Sequence, residues 1–540
     1  MPIRMVDDPQ DPQDNNDDSS SGGGGRGNFP GGGGGGGLFN LLPLLLGLFR
    51  GKSIIFLLII AAGAYFLFGR GGGGCNMGNL SQVTGGLTRG GFLDPKQFER
   101  ASIYEPLADD NTKNPLPDNA NLMAYAPAVG NQGEQGSCVA WSSAYAARTI
   151  LEASRSGAQG DATKFSPAFL YNQIGLDGCQ GSYILRAMEY MTKQGSIPYD
   201  KFPYSDRDCS RQPNQDLIRE AGQFKMRGFN RLSQGDRNDV IDLRAIRENL
   251  AQGAPVVIGM MVGPSFMQGM MGQEVWQPQA GDDQMNGFGG HAMCVVGYDD
   301  KKFGGAFLIM NSWGPEWGRN GFGWVRYNHF KYFVREAYGL EPMPKSGAAA
   351  TAPFTCEVGL VQVSQQGNKM VPGGYAPLRS TGNNVFETVN PLAIGSRFKM
   401  EVKNSAECYI YVFGKETDGT SYTLFPYPRA EDATKTKYSP FCGITGYRVF
   451  PHDKSMTPDS IGTRDVMAVI VSREPIDWYE TNRKISSNPA SDYASRVNAA
   501  LAGKQVRDVR FQSTGKGTMQ FTTAPGENQV VAAIVEITKR

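Results

Sequence analysis

The chain has 540 residues, more than one ordinary domain holds, so about two to four units are expected. Lys+Arg 53 against Asp+Glu 52 leaves a formal charge of +1 with no Lys/Arg cluster, which removes the electrostatic basis for a nucleic-acid partner. Eight cysteines without a CxxC pair and only three histidines give no zinc or thioredoxin-like pattern, so no metal site is expected.

Residues 1–37 carry an acidic, Pro/Asn-rich start and then Ser and Gly runs, too little apolar surface to offset chain entropy, and they read as a disordered tail. The composition inverts over 38–70. Leu38 to Phe49 is apolar but broken by Asn40 and Pro43, and Ser53 to Gly69 has no charge at all. A bilayer core takes about 17 to 25 apolar residues in a helix, so 53–69 is predicted as one transmembrane helix. The basic residues around it favour a cytoplasmic N-terminus, with everything after residue 70 periplasmic or extracellular and the protein single-pass. Residues 71–114 have Gly, Pro and Asp/Asn punctuation without a helical period and read as a linker or a short pro-like strip.

Asn131 to Ser143, NQGEQGSCVAWSS, runs into a helical pattern that stops near Gly157, which puts Cys138 at a helix start. The positive end of a helix favours a thiolate there. GGHAMCVVGYDD places His291 at the head of a strand-like run, and FLIMNSWGPEWGRNGFGWVRY places Asn311 at the end of another. Cys, His and Asn in that order suggest a nucleophile, its base and the group that orients the base. Cys294, within its strand-like run, reads as a small buried hydrophobe. The methionines between Met260 and Met293 read as packing, with a substrate-facing loop as the alternative.

These blocks resemble the papain-like cysteine peptidases: Gln132 before Cys138, the Gly136-Ser137-Cys138 turn, Gly290-His291-Ala292, and the Asn311 to Gly318 block with its two Trp-Gly pairs. Separations of 153 residues from 138 to 291 and 20 from 291 to 311 agree with that family. The resemblance implies a thiolate–imidazolium pair of Cys138 and His291, orientation by Asn311 beneath Trp313, and an oxyanion hole from Gln132 and the Cys138 N–H. No cofactor is required. It also implies that Gly181 and Ser182 lie on the strand that pairs with substrate, Ser182 bringing a side chain where a second Gly is usual, and that Gly290 leaves a roomy pocket. Trp313 and these residues complete the substrate-contacting set. Gln135 stands where the family has a half-cystine, so Cys179 and Cys209, each without its usual partner, are expected to pair with each other.

After a 343–358 linker the chain turns strand-like: Cys408 to Phe413, a turn at Asp418-Gly419, Tyr422 to Phe425, Val466 to Val471 and Val530 to Ile537, with one helix near Asp492 to Leu501. This half is similar to an uncharacterised bacterial domain found beside peptidases and kinases, and a protein or cell-envelope partner is the expectation for it. The expected fold class is α+β: a papain-like domain at 115–342 with a helical lobe and a β-barrel lobe, then a mainly-β sandwich-like domain at 359–540. The expected function is a membrane-anchored cysteine peptidase acting on protein or peptide substrates. A catalytically silent binding scaffold and an acyl-transferring or peptidoglycan-cleaving enzyme are the alternatives.

Overall fold

Helix-forming sequence is concentrated between residues 138 and 251 and strand-forming sequence after 256, and the fold follows that division. The structure is a computed structural model that describes residues 2–9, 90–109, 113–284, 290–344, 353–525 and 530–540. A continuous helix runs from Cys138 through a π-helical stretch at Trp141–Arg148 to Ser156, where Gly157 at φ 73° ends it in the left-handed conformation. Pro167–Ile174, Ile184–Lys193, Gln215–Ala221 and Leu243–Ala251 complete the helical lobe. Ser166, Asn214 and Asp242 cap three of these helices by accepting from backbone N–H groups three residues on.

The second lobe is a seven-stranded sheet. Its path runs Phe229–Arg231, Val334–Leu340, Val256–Met261, Gly290–Asp299, Ala306–Met310 and Phe322–Arg326, with Asn119–Asn121 added on Gly290–Asp299. Val256–Met261 is buried along its whole length and Gly290–Asp299 up to its last residue, which is why both read as uninterrupted apolar runs rather than alternating ones. Met260, Met270 and Met293 are core residues, whereas Met271 is 52% exposed.

The C-terminal half is a sandwich of an eight-stranded and a seven-stranded sheet. Cys408–Lys415 explains its composition: Cys408, Ile410 and Val412 point into the sandwich, while Tyr409, Tyr411 and Phe413 belong to the core cluster that continues into the peptidase-like lobes. A strand buried on both faces has no polar side to show. Two helices, not one, lie on that outer face: Trp478–Ser487, capped by Asp477, and Tyr493–Ala500, capped by Asp492. The first strand of this half starts at Phe354, inside the stretch expected to be linker.

The N-terminus departs furthest from expectation. Residues Ile3–Asp7, within the stretch expected to be disordered, form an edge strand antiparallel to Lys454–Pro458, from Ile3 opposite Pro458 to Asp7 opposite Lys454. Ile3 is fully buried in the sandwich core, its N–H donates to the Tyr422 hydroxyl at 2.9 Å, and Asp8 pairs with Lys399 at 2.6 Å. The alternation Ile3, Met5 against Arg4, Val6 suits one buried face, a signal overshadowed in sequence by the acidic and Gly-rich stretch that follows. Residues 10–89, including the expected transmembrane helix at 53–69, lie outside the described residues. Among the described residues no helix is long and apolar enough to cross a membrane. A topology with the N-terminus across a bilayer from the two lobes would separate Ile3–Asp7 from the sheet that holds it.

Ile3 tests this docking. Ile3→Ala is expected to cost about 2–4 kcal/mol, the usual range for truncating a buried aliphatic side chain, and to lower the urea midpoint followed by far-UV circular dichroism.

Candidate active site

Cys138 opens its helix with Ser137 as N-cap, and Ser137 makes no side-chain capping bond, so the positive helix end is directed at the thiol. The Ser137 hydroxyl is instead bonded to Tyr204 Oη at 2.6 Å, which in turn donates to Gln132 O at 2.7 Å and ties the 132–138 turn down. From the other lobe, the Ala292 N–H approaches Cys138 Sγ at 3.5 Å, which sets the thiol beside the strand that carries His291. His291 Nε2 and Asn311 Oδ1 are 2.7 Å apart. The Ser312 N–H donates to the same Asn311 oxygen at 2.8 Å and so sets the amide with its oxygen toward the ring. Trp313 stacks on the imidazole, with centroids 4.3 Å apart and planes at 21°, and shields that bond from water. Gln132 is held by its Oε1, which accepts from Ser312 Oγ at 2.8 Å, and by its Nε2, which donates to Gln135 O at 3.0 Å. Cys138, His291, Asn311 and Gln132 are thus brought together where the two lobes meet.

The Cys179–Cys209 disulfide expected from sequence is formed, with Cα atoms 6.0 Å apart. Cys294 is a buried thiol whose pKa is pushed up by desolvation. Ser182 is buried too, but its Oγ donates to Ile174 O at 2.9 Å, so the side chain turns back into the lobe instead of narrowing the cleft. No group of His, Cys, Asp or Glu among the described residues could hold a metal ion.

The cleft is filled by the chain itself. The Ser182 N–H donates to Gly90 O at 2.8 Å and the Phe92 N–H donates to Ser182 O at 3.1 Å, so residues 90–92 pair in parallel with the segment at Ser182. This strap crosses the Gly136–Cys138 turn and the His291–Ala292 backbone, and Cys138 and His291 are both fully buried. Only glycine permits the approach at two points. A Cβ on Gly90, at φ +91°, would lie 2.0 Å from Gly136 O, and one on Gly290 would lie 2.2 Å from Gly91 O. The Leu93 side chain enters the hollow left by Gly259 and Gly290, against Ile184. Residues 90–109, within the stretch read as a linker or a short pro-like strip, pack against the lobes and include a helix at Pro95–Glu99 capped by Asp94. The Asp94-Pro95 pair was the available sequence signal for that helix.

Sequence reasoning also missed Glu336. It lies at the base of the hollow, 2% exposed, with Oε1 accepting from the Asp94 N–H at 2.8 Å and Oε2 accepting from Tyr338 Oη at 3.3 Å. Burial pushes its pKa up to about 7. Nothing in VREAYGL separates this Glu from its exposed neighbour Arg335, because its burial depends on what packs against the strand.

Residues 117–341 match the family described as papain family cysteine protease. Mouse cathepsin K is 27% identical over 237 residues, covering 43% of this chain and 65% of that protein. Human cathepsin L2 is 27% identical over 248 residues, covering 43% and 66%. The chain thus spans about two thirds of the length of these relatives. Among solved structures, xylellain from Xylella fastidiosa aligns with 23% identity and a TM-score of 0.36, over 45% of this chain and 97% of that one. The proform of the ragweed allergen Amb a 11 aligns with 21% identity and a TM-score of 0.35, over 45% and 72%.

Glu336 makes the strap pH-sensitive. Its pKa is about 7 folded against 4.5 in the reference state, so its contribution to stability is fully present below pH 4.5 and is lost as pH rises through about 7. The melting temperature is expected to fall from pH 5 to 8, and Glu336→Gln, which keeps an acceptor for the Asp94 N–H, is expected to reduce that slope in thermal melts across this range.

Proposed function

We propose that residues 117–341 are a thiol peptidase that hydrolyses peptide bonds in proteins or peptides and is held latent by the strap at 90–93. The convergence of Cys138, His291, Asn311 and Gln132 at the lobe interface carries this reading. The Cys138 thiolate attacks the peptide carbonyl carbon, and the negative charge that develops on oxygen is received by the Cys138 N–H and the Gln132 amide. Protonated His291 gives its proton to the departing amine, leaving a thioester. Neutral His291 then takes a proton from water, whose oxygen attacks the thioester and releases the acid and the thiolate. Asn311 holds the imidazole in register for both transfers, and Trp313 keeps water from competing for it. A silent scaffold would have no use for this set, since an oriented imidazole beside a thiol at a helix start contributes nothing to passive binding.

The uncharged run at 53–69 supports membrane attachment. With Ile3–Asp7 in the C-terminal sheet, the arrangement supported is one in which the N-terminus and the peptidase face the same side.

An epoxysuccinyl inhibitor tests the assignment after brief limited proteolysis to free the cleft. Mass spectrometry is expected to place one adduct on Cys138 and none in Cys138→Ala; an adduct elsewhere, or none, would overturn the reading. In the activated enzyme Gln132→Ala is expected to lower kcat by about 10²- to 10³-fold with little change in KM, the signature of a transition-state donor, as measured on a fluorogenic peptide.

A further inference from the structure

The C-terminal sandwich grips the chain just after the segment that blocks the cleft. Residues 101–108 pass between the two domains as an extended strip bonded on both edges. On the sandwich side, the Ile103 N–H donates to Lys437 O at 2.9 Å, the Ser439 N–H donates to Ile103 O at 2.8 Å, and the Ala108 N–H donates to Tyr447 O at 2.9 Å. Arg429 donates to Ala101 O at 2.9 Å, Ser102 Oγ donates to Thr436 O at 3.1 Å, and the His452 N–H donates to the Glu105 carboxylate at 3.1 Å. On the peptidase side, the Arg231 N–H donates to Ser102 O at 2.8 Å, the Tyr104 N–H donates to Arg231 O at 3.0 Å, and the Leu107 N–H donates to Glu248 at 3.1 Å. Ile103 is buried in the sandwich core, whereas Phe98, Ala101 and Tyr104 are buried in the peptidase core.

The connection from this grip to the cleft has little slack. The helix Pro95–Glu99 fills it, with Phe98 fully buried and set edge-on against Tyr338 at 5.2 Å, and Asp94 both caps that helix and bonds Glu336. The two domains also meet away from the strip, where Arg227 pairs with Glu407 and Tyr409 Oη donates to Glu341 at 2.7 Å. The sandwich can therefore stay docked whether or not it holds the strip.

We infer that the C-terminal sandwich is the retaining half of an intramolecular inhibitor, gripping residues 101–108 so that 90–93 stay over Cys138 and His291. The inference rests on the peptidase reading of that site and assigns its regulation. In the unaltered chain the strip's bonds to the sandwich keep the strap seated, and whatever loosens the sandwich from 436–439 or 447 activates the enzyme.

The experiment uses the full chain and the rate of Cys138 labelling by the epoxysuccinyl inhibitor. Arg429→Ala, which removes the bond to Ala101 O, is expected to label about tenfold faster than wild type, the effect of losing about one charged hydrogen bond, and Ile103→Asp, which expels the strip from the sandwich core, is expected to label at least as fast. Gly90→Val, whose side chain has no room against Gly136 O, lifts the strap at the cleft alone and is expected to label fast with the grip intact. Melting temperatures separate unfolding from release, and Arg429→Ala carries the result if Ile103→Asp does not fold. Fast labelling of Gly90→Val with Arg429→Ala as slow as wild type would overturn the inference and leave the peptidase reading standing. A Gly90→Val protein that folds and does not label would overturn both.

Discussion

A thiol on a helix and an imidazole on a strand must be held within reach of one another by two lobes that share no local sequence. Every other feature of the site serves that constraint. Tyr204 ties the turn before Cys138, and Asn311 takes the imidazole on one side while Ser312 fixes Asn311 and Gln132 together. The last pair matters because it links the residue bonded to His291 with the residue that starts the turn before Cys138. Ser312 couples the two residues through one backbone N–H and one hydroxyl, so the lobes cannot shift at this point without disturbing both.

The same junction explains why the site is closed. A cleft that accepts an extended peptide by backbone pairing will also accept the chain's own backbone if steric room exists. Glycines at 90 and 290 provide it where any side chain would collide. Backbone pairing is sequence-tolerant, so the specific part of the contact falls to Leu93 in its hollow and to the buried acid beneath it. An acid kept from water with two neutral donors and no cation is held closer to its neutral form. Protonation of Glu336 is therefore expected to favour the docked strap.

The C-terminal sandwich is integrated rather than appended. Its Cys408–Lys415 strand contributes to two cores, its edge takes up the first residues of the chain, and its loops hold the strip that leads to the cleft. The buried Arg448, bonded to Asn404 at 2.7 Å, stiffens the same region from within.

The amino-acid sequence alone carried the identities and order of Cys138, His291 and Asn311, the helix that starts at Cys138, the Cys179–Cys209 pairing by way of a resemblance, and strands over Cys408 to Phe413 and Val530 to Ile537. Those features are local or rest on residue chemistry: a cap, a period, a β-branched run, a missing half-cystine. The sequence did not reveal the strap, the role of Glu336 or the docking of Ile3–Asp7. Residues 90–93 have no helical or strand period strong enough to stand out, Glu336 is an ordinary alternation partner until Asp94 covers it, and Ile3 is separated by hundreds of residues from the strand it joins. Only the tertiary structure decided these, because each depends on what packs against a segment rather than on what the segment is made of.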